Sequence, residues 1–173
     1  MTSMSTQKAC ASSSSSSSSS ASQWKHEVFL SFYEEDTRNN FTDHLYSALI
    51  QKGIIVYRDN VNLKEGKPID SELMKAIEES KYAIIIFSKN YAFSKWCLNE
   101  LVKILECKKE KGLKILPIFY HVMPSDVGNR RETFGKAFRK HEEDRKVSIE
   151  QIQKWRTALK EVSKIRGWHL LDR

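Results

Sequence analysis

A tryptophan and a glutamate lie four residues apart near the start of a predicted helix. The segment WCLNELVKILEC (96–107) repeats apolar residues at spacings of three and four, which predicts a helix packed on a core. Since residues four apart share one helix face, Trp96 and Glu100 should lie on the same side. A carboxylate beside an aromatic wall can stabilise positive charge during catalysis. The alternative interpretation is that Glu100 is a solvated surface residue.

The sequence lacks the motifs of several other chemistries. It contains no GxGxxG, P-loop, HExxH or GxSxG pattern, and its five histidines are dispersed. Its three cysteines (Cys10, Cys97, Cys107) have neither a disulfide nor a zinc pattern. A phosphate-receiver domain is disfavoured because Ser88 stands where the acceptor aspartate is expected. The sequence therefore predicts no metal site and no tightly bound cofactor.

Composition indicates a globular protein. The chain has 173 residues, of which 40% are hydrophobic, and a formal net charge of +7. The basic residues are mixed with acidic ones, so nucleic-acid binding is not expected. No apolar run approaches the ~20 residues of a membrane helix, so no membrane partner is expected. Two cysteines in a core-forming pattern favour a reducing compartment: the cytoplasm, with the nucleus as a second location.

The N-terminal segment differs from the rest of the chain. Residues 1–23 are dominated by serine, with an unbroken run from Ser12 to Ser20. Such a segment buries too little apolar surface to offset its chain entropy, so we expect a disordered leader. It lacks the apolar stretch of a secretory signal and the arginines of a transit peptide. The folded domain is expected to span residues 24–173.

From Lys25 onward, predicted strands and helices alternate. Strands are expected at 26–32, 54–59, 81–88, 112–120 and near 168–171; helices at 37–53, 69–80, from Ser94, 132–143 and 149–165. The first helix should bury Phe41, Leu45, Ala48 and Leu49. This alternation predicts an α/β fold, a flavodoxin-like doubly wound five-stranded parallel sheet of order 2-1-3-4-5.

Ligands of such sheets bind at the carboxyl ends of the strands. That rule selects four loops: 33–38, 58–68, 89–96 and 121–128. Glu100 follows the third loop, near a helix N-terminus, where the helix dipole should favour an ionised carboxylate. This position favours a functional role for Glu100. The alternative is that it is there only because glutamates are common near helix N-termini, where the dipole favours them.

Several segments together resemble one family, the plant-type Toll/interleukin-1 receptor (TIR) domain. HEVFLSFYEEDTRNNFTDHLYSAL is similar to its first strand and helix, and the stretch from GIIVYRD to LVKILEC to its middle section. ILPIFYHVMPSDV and WRTALKEVSKIRGWHLL are similar to its last parts. The likeness covers roughly residues 25–171, in order and at family spacing.

The resemblance implies an enzyme that cleaves NAD+ or NADP+ between nicotinamide and ribose, with these as substrates. The catalytic glutamate of the family corresponds to Glu100. Trp96 is implied as an aromatic wall beside the substrate, and anchoring of the helix to the sheet is its alternative role. The loop called BB corresponds to 58–68, with Gly66 at the glycine position; Asp59 is a candidate cap of that loop. The substrate loop corresponds to Tyr33, Glu34, Glu35, Asp36, Thr37 and Arg38.

The chain departs from the family pattern in that substrate loop. Tyr33 and Glu34 replace the usual Arg-Gly, which changes the local charge from +1 to −1, a difference of two units. The added negative charge should weaken pyrophosphate binding, and a glycine that allows close backbone approach is lost. Arg38 either holds a phosphate or ribose group or pairs with Glu35 or Asp36. Met123 and Gly128 also replace the usual Asp and Arg.

The resemblance further implies self-association and binding to other TIR proteins. Asp43 and His44 on the first helix correspond to an association surface, with a plain exposed histidine as the alternative, and the BB loop to a second contact. The leading hypothesis is an NAD+ nucleosidase acting in plant immune signalling. The second is a non-catalytic TIR–TIR interaction module. A third is nucleic-acid processing by the assembled domain.

Overall fold

The sheet forms from the chain's apolar runs, and all its neighbouring strands are parallel. A computed structural model describes residues 24–58 and 71–171, without the side chains of Arg38 and Asn39. The strand order is β2-β1-β3-β4-β5, which confirms the predicted topology. The strands are His26–Phe32 (β1), Val56–Arg58 (β2), Ser80–Phe87 (β3), Lys114–Tyr120 (β4) and Trp168–Leu170 (β5). The predicted leader, 1–23, lies outside the described residues.

The central strands are apolar on both faces because helices cover both sides of the sheet. Successive side chains of a strand point to opposite faces. Phe29 and Ile85 therefore join one buried cluster, and Leu30 and Ile84 join the other. The register pairs Leu30 with Ile84 and Ile84 with Leu116 across the middle of the sheet.

The helices are distributed unequally between the two faces of the sheet. The α-helices of the described chain are Glu34–Thr37 (α1), Asp43–Gln51 (α2), Ser71–Glu78 (α3), Lys95–Lys111 (α4), Pro124–Gly128 (α5), Glu132–Glu143 (α6) and Ile149–Ser163 (α7). A π-helical turn (Arg38–Thr42) and a 3-10 turn (Tyr91–Phe93) also occur. Side chains of α3, α4, α6 and α7 enter the first cluster, whereas the second cluster packs against α2.

The helix predicted at 37–53 differs from the structure in its start and its buried face. The π-helical turn interrupts it, and Ala48 is exposed, so its assignment to the core was wrong. Tyr46 packs against the second cluster instead, together with Leu45 and Leu49. The reason lies one turn earlier: buried Thr42 donates its hydroxyl to Thr37 Oγ1 at 2.6 Å, which turns the 42/46 side of the helix inward.

Helix α4 has well-defined ends, and the sequence predicted the first of them, near Ser94. Ser94 caps its start by accepting a hydrogen bond from the Cys97 amide at 3.1 Å. Gly112 ends it in the left-handed region, at φ 74°. The sequence prediction missed α5, whose first residue, Pro124, lacks the amide hydrogen that a helix start leaves unbonded anyway.

Gly128 has a packing role between α5 and α7. A Cβ atom at this position would lie 2.3 Å from Ser163 Oγ, so the two helices touch there. The glycine that departs from the family pattern therefore fits its own surroundings.

In the part of the chain that the structure describes, no helix is long and apolar enough to cross a membrane.

Candidate functional site

The carboxyl ends of β1 and β3 bring two of the predicted loops together. The first loop is mostly helical, since Glu34–Thr37 forms α1, and the third contains the 3-10 turn. Both precede helices that pack on the same sheet. Cys97 in the first turn of α4 donates its thiol to the Phe32 carbonyl, at 3.5 Å, and so places the start of α4 at the end of β1.

Glu100 is the sixth residue of α4 and is buried, at 3% exposure. The surface interpretation of this residue was therefore wrong. The dipole argument is also weak, because that effect fades within the first helical turn and Glu100 lies in the second. A fully buried carboxylate is rare in proteins and usually has a specific purpose.

A hydrogen-bonded network lies next to Glu100. Tyr91 is fully buried; its hydroxyl donates to the Cys97 carbonyl at 3.2 Å and lies 2.8 Å from Ser31 Oγ. Since the single hydroxyl proton of Tyr91 goes to Cys97, Ser31 is the donor to Tyr91. Burial raises the pKa of Tyr91 well above its ordinary value, and the charges of Cys97 and Glu100 add to this. Glu100 therefore lies near a neutral phenol that ties α4 to β1.

The rest of α4 is fixed by core contacts on two sides. Leu98, Leu101 and Leu105, which belong to the apolar repeat that predicted a helix packed on a core, are buried, and Val102 of the same repeat is half-buried. Trp96 is half-buried and packs against the first cluster, a contact that fits its alternative role as an anchor of the helix. That it lies beside a substrate remains a prediction.

On its outer side, α4 is tied to α7 through Asn99. The Asn99 Oδ1 atom accepts hydrogen bonds from Gln151 Nε2 at 2.7 Å and from Trp155 Nε1 at 3.0 Å. Asn99 and Glu100 are adjacent, so the bonds that fix one residue also restrict the other.

Tyr33 and Glu34, the two residues that depart from the family pattern, lie at the junction of β1 and α1. Tyr33 donates its hydroxyl to Glu35 Oε2 at 3.1 Å. Burial, then the Glu35 hydrogen bond and nearby negative charges, raise the pKa of Tyr33 to about 12. Glu34 is half-buried and begins α1, a conformation that requires no glycine. Glu35 is exposed.

Asp36 and Thr37 form internal hydrogen bonds. Asp36 Oδ2 accepts from Ser88 Oγ at 2.6 Å and from the Asn90 amide at 2.7 Å, and its Oδ1 accepts from Asn90 Nδ2 at 2.8 Å. Thr37 is buried and donates to the Tyr33 carbonyl at 3.4 Å. That either residue contacts a substrate remains a prediction.

Only some of the remaining predicted site residues belong to the part of the chain that the structure describes. Gly66, Asp59 and nearly all of the BB loop lie outside the described residues, as does the Arg38 side chain. Arg58, the first residue of that loop, forms an ion pair with Asp43 at 2.5 Å. His44 is exposed on α2.

His141 supports the 3-10 turn from the other side. It is buried, and its Nε2 lies 2.7 Å from the Ala92 carbonyl, which only accepts, so Nε2 carries the proton. The ring also packs against Trp155 at a centroid distance of 5.1 Å. Burial lowers the pKa of His141 below its ordinary value of 6.5, against the opposing effect of the Ala92 hydrogen bond.

The lowered pKa of His141 predicts acid sensitivity. Because the unfolded chain binds this proton more readily than the folded one, the stabilisation is complete above pH 6.5 and is lost as pH falls through the folded-state pKa. Between pH 7 and pH 5, the melting temperature of the wild type should therefore fall by a few degrees more than that of His141→Gln. Thermal unfolding followed by circular dichroism measures the difference.

The exposed histidine at position 44 provides the control for this experiment. His44→Gln should show the same fall in melting temperature as the wild type. Equal falls in the wild type and His141→Gln would contradict the prediction. Comparing variants at each pH cancels the contribution of the acidic residues they share, including Asp144, whose pKa Lys95 lowers by hydrogen bonding.

A surface groove lies between α4 and α7 and contains none of the predicted site residues. It is lined by Val102, Leu105, Glu106, Lys109, Gln153, Lys154, Thr157 and Ala158.

Within ranges 24–58 and 71–171, no three histidine, cysteine or acidic side chains cluster as metal ligands would.

The sequence prediction missed the polar residues that support the site. Ser31, Ser88 and Tyr91 are all buried. The two serines interrupt or end apolar strand sequences, FLSF and IIIFS, and a hydroxyl there must find a partner. That signal indicates a buried polar contact, but it does not identify the partner.

Known proteins are similar to the part of this chain that forms the sheet and its helices. A model of the TIR domain family matches residues 25–172. The chain is 56% identical over 147 residues to disease resistance protein RPV1 of Vitis rotundifolia and 54% identical over 147 residues to TMV resistance protein N of Nicotiana glutinosa. Each match covers 85% of this chain but only 10% and 13% of those proteins, so the chain spans about a tenth of their length.

A solved structure is also similar. The TIR domains of the activated Roq1 resistosome, which recognises the pathogen effector XopQ, match with a TM-score of 0.77 and 48% identity. The alignment covers 83% of this chain and 87% of that one.

Proposed function

The chain belongs to the TIR domain family, and from this premise we propose that it is an NAD+ nucleosidase of plant immune signalling. The proposed substrate is NAD+ or NADP+, and the products are nicotinamide and ADP-ribose or cyclic derivatives. The proposed location is the cytoplasm or nucleus. The defence role rests on relatives that are named as resistance proteins.

The proposed reaction suits a site with one carboxylate. Nicotinamide leaves as a neutral ring from a cationic glycoside, so its departure needs little help from an acid. The transition state resembles an oxocarbenium ion, and a nearby carboxylate stabilises that charge. Ordinary glycosidases use two carboxylates, one of which protonates the leaving group. Here Glu100 would act alone.

The observation that carries the proposal is the buried position of Glu100. A carboxylate at 3% exposure, close to the carboxyl end of β1, lies where ligands of parallel sheets bind. Charge stabilisation is strongest where water is excluded. Since so little of Glu100 is exposed, ribose can reach it only after the surrounding segments part. We therefore propose that assembly opens the site as well as completing it.

Self-association is part of the proposal. The similar Roq1 domains belong to an activated resistosome. In this chain, the proposed contacts are the surface around Asp43 and His44 and the BB loop, 58–68. Because Arg58 pairs with Asp43, the first residue of that loop is connected to the α2 surface.

Incubating the concentrated protein with NAD+ should release nicotinamide, which chromatography measures. Activity should rise more than linearly with protein concentration, because assembly is required. The negative charge at Tyr33–Glu34 should appear as a raised KM, and Tyr33→Arg/Glu34→Gly should lower it. If assembled protein leaves NAD+ intact, the enzymatic proposal fails for this chain.

The alternative is a non-catalytic TIR–TIR interaction module. The exposed position of His44 on α2 favours it, because that residue is accessible to a partner. In this case, partner binding measured by light scattering would survive Glu100→Gln and be lost in His44→Ala. Nicotinamide release by the wild type would decide against the alternative as the sole function.

A further inference from the structure

Asp36 connects two segments that are distant in sequence. Its carboxylate accepts three hydrogen bonds from the segment after β3, all between 2.6 and 2.8 Å. Ser88, one of the donors, is buried, and Asp36 and Asn90 are half-buried. Hydrogen bonds to a carboxylate are shorter and stronger than those between neutral groups. Asp36 is therefore an anchor for the start of the 3-10 turn.

The anchored turn leads directly to the network beside Glu100. Asn90 precedes Tyr91, whose hydroxyl bonds to the Cys97 carbonyl and receives a bond from Ser31. Cys97 lies three residues before Glu100 on the same side of α4. The contacts thus run without a gap from Asp36 through Asn90 and Tyr91 to the turn of α4 that precedes Glu100.

We propose that Asp36 is a positioning residue for Glu100 and not a substrate ligand. Both carboxylate oxygens already accept hydrogen bonds from the protein, and binding substrate through them would require those bonds to change. The role in catalysis rests on the proposed NAD+ cleavage. The positioning of α4 does not, so the two can fail separately.

The buried thiol of Cys97 provides a measurement that does not depend on activity. It is 2% exposed and touches the Phe32 carbonyl, so it reacts with a disulfide reagent only when α4 moves away from β1. In the full chain with Cys10→Ser and Cys107→Ala, the labelling rate of Cys97 reports this movement. Asp36→Ala should increase that rate about 10-fold or more, since it removes three hydrogen bonds to a charged group.

An exchange of residues 36 and 90 separates positioning from substrate contact. In Asp36→Asn/Asn90→Asp, the side-chain amide introduced at position 36 accepts from Ser88 Oγ and from the backbone amide of residue 90, and it donates to the carboxylate introduced at position 90. All three bonds are retained with one reversed, while the carboxylate leaves position 36. The single variant Asn90→Asp sets two carboxylates against each other and should behave like Asp36→Ala.

The expected result is that the exchange restores both slow Cys97 labelling and kcat for NAD+ cleavage. Asp36→Ala should lower kcat with little change in KM. Lys89→Ala, at an exposed position between Ser88 and Asn90, should leave the labelling rate unchanged. If Asp36→Ala does not fold, Asn90→Asp and the exchange provide the same comparison.

Two results would overturn the proposal. One is unchanged Cys97 labelling in Asp36→Ala or Asn90→Asp. The other is an exchange variant that labels slowly but keeps a raised KM, which would make Asp36 a substrate contact. If the wild type does not cleave NAD+ but labelling follows the expected order, the proposed function fails and the positioning of α4 by Asp36 stands.

Discussion

Glu100→Gln is expected to reduce nicotinamide release from NAD+ by about 100-fold to 1,000-fold, the usual effect of removing one electrostatic group from a catalytic site. The substitution keeps the size of the buried side chain and replaces its carboxyl group with an amide. An effect on the transition state alone should lower kcat and leave KM nearly unchanged. Single-turnover assays on assembled protein measure the chemical step directly.

Glu106→Gln is the matched control for this prediction. Glu106 lies on the same helix but is exposed, so its loss should change activity less than twofold and leave the fold intact. Circular dichroism and thermal unfolding of both variants separate lost catalysis from lost folding. A Glu100→Gln variant that folds normally and keeps wild-type turnover would refute the catalytic role of Glu100.

Trp155→Ala is expected to lower the free energy of unfolding by about 3–5 kcal/mol, the typical cost of truncating a buried tryptophan. Trp155 is 2% exposed, contacts His141 and donates to Asn99 on α4. A domain of this size has about 5–15 kcal/mol of stability in total, so a large share would be lost. Urea denaturation of wild type and variant measures the change.

Trp168→Ala provides the comparison at an exposed position. Trp168 lies on β5 with 58% of its surface exposed, so its truncation should cost less than about 1 kcal/mol. Similar losses for the two tryptophans would show that α7 contributes less to the core than its packing indicates. Trp155→Phe should fall between them, because it keeps most of the volume and loses the bond to Asn99.

The parallel sheet could be predicted from the sequence because each strand is a short apolar run followed by a helical pattern. That alternation does not by itself set the strand order; 2-1-3-4-5 is one of the common orders of doubly wound sheets, and the structure confirms it. The buried face of α2 could not be predicted in full. Ala48 and Tyr46 flank the same apolar stripe, and the Thr42–Thr37 hydrogen bond selects Tyr46.

The candidate site was less predictable than the fold. Glu100 could be predicted as a catalytic candidate from its position after a strand and from family resemblance. That its side chain is buried could not be predicted. The bonds of Asp36 to Ser88 and Asn90 join residues 52 and 54 positions apart, and no local pattern records such a pairing. Sequence periodicity reports which face of an element is apolar, whereas polar contacts between loops depend on the assembled sheet.

The parallel order of the sheet also has a consequence for the speed of folding. Ser31 of β1 pairs with Ile85 of β3, 54 residues later, so the centre of the sheet forms only after a long segment of chain has been brought together. Folds rich in such distant contacts form slowly. During that time the apolar strands β3 and β4 are exposed to other chains, and aggregation competes with folding. Newly made protein is therefore most vulnerable before β1 pairs with β3.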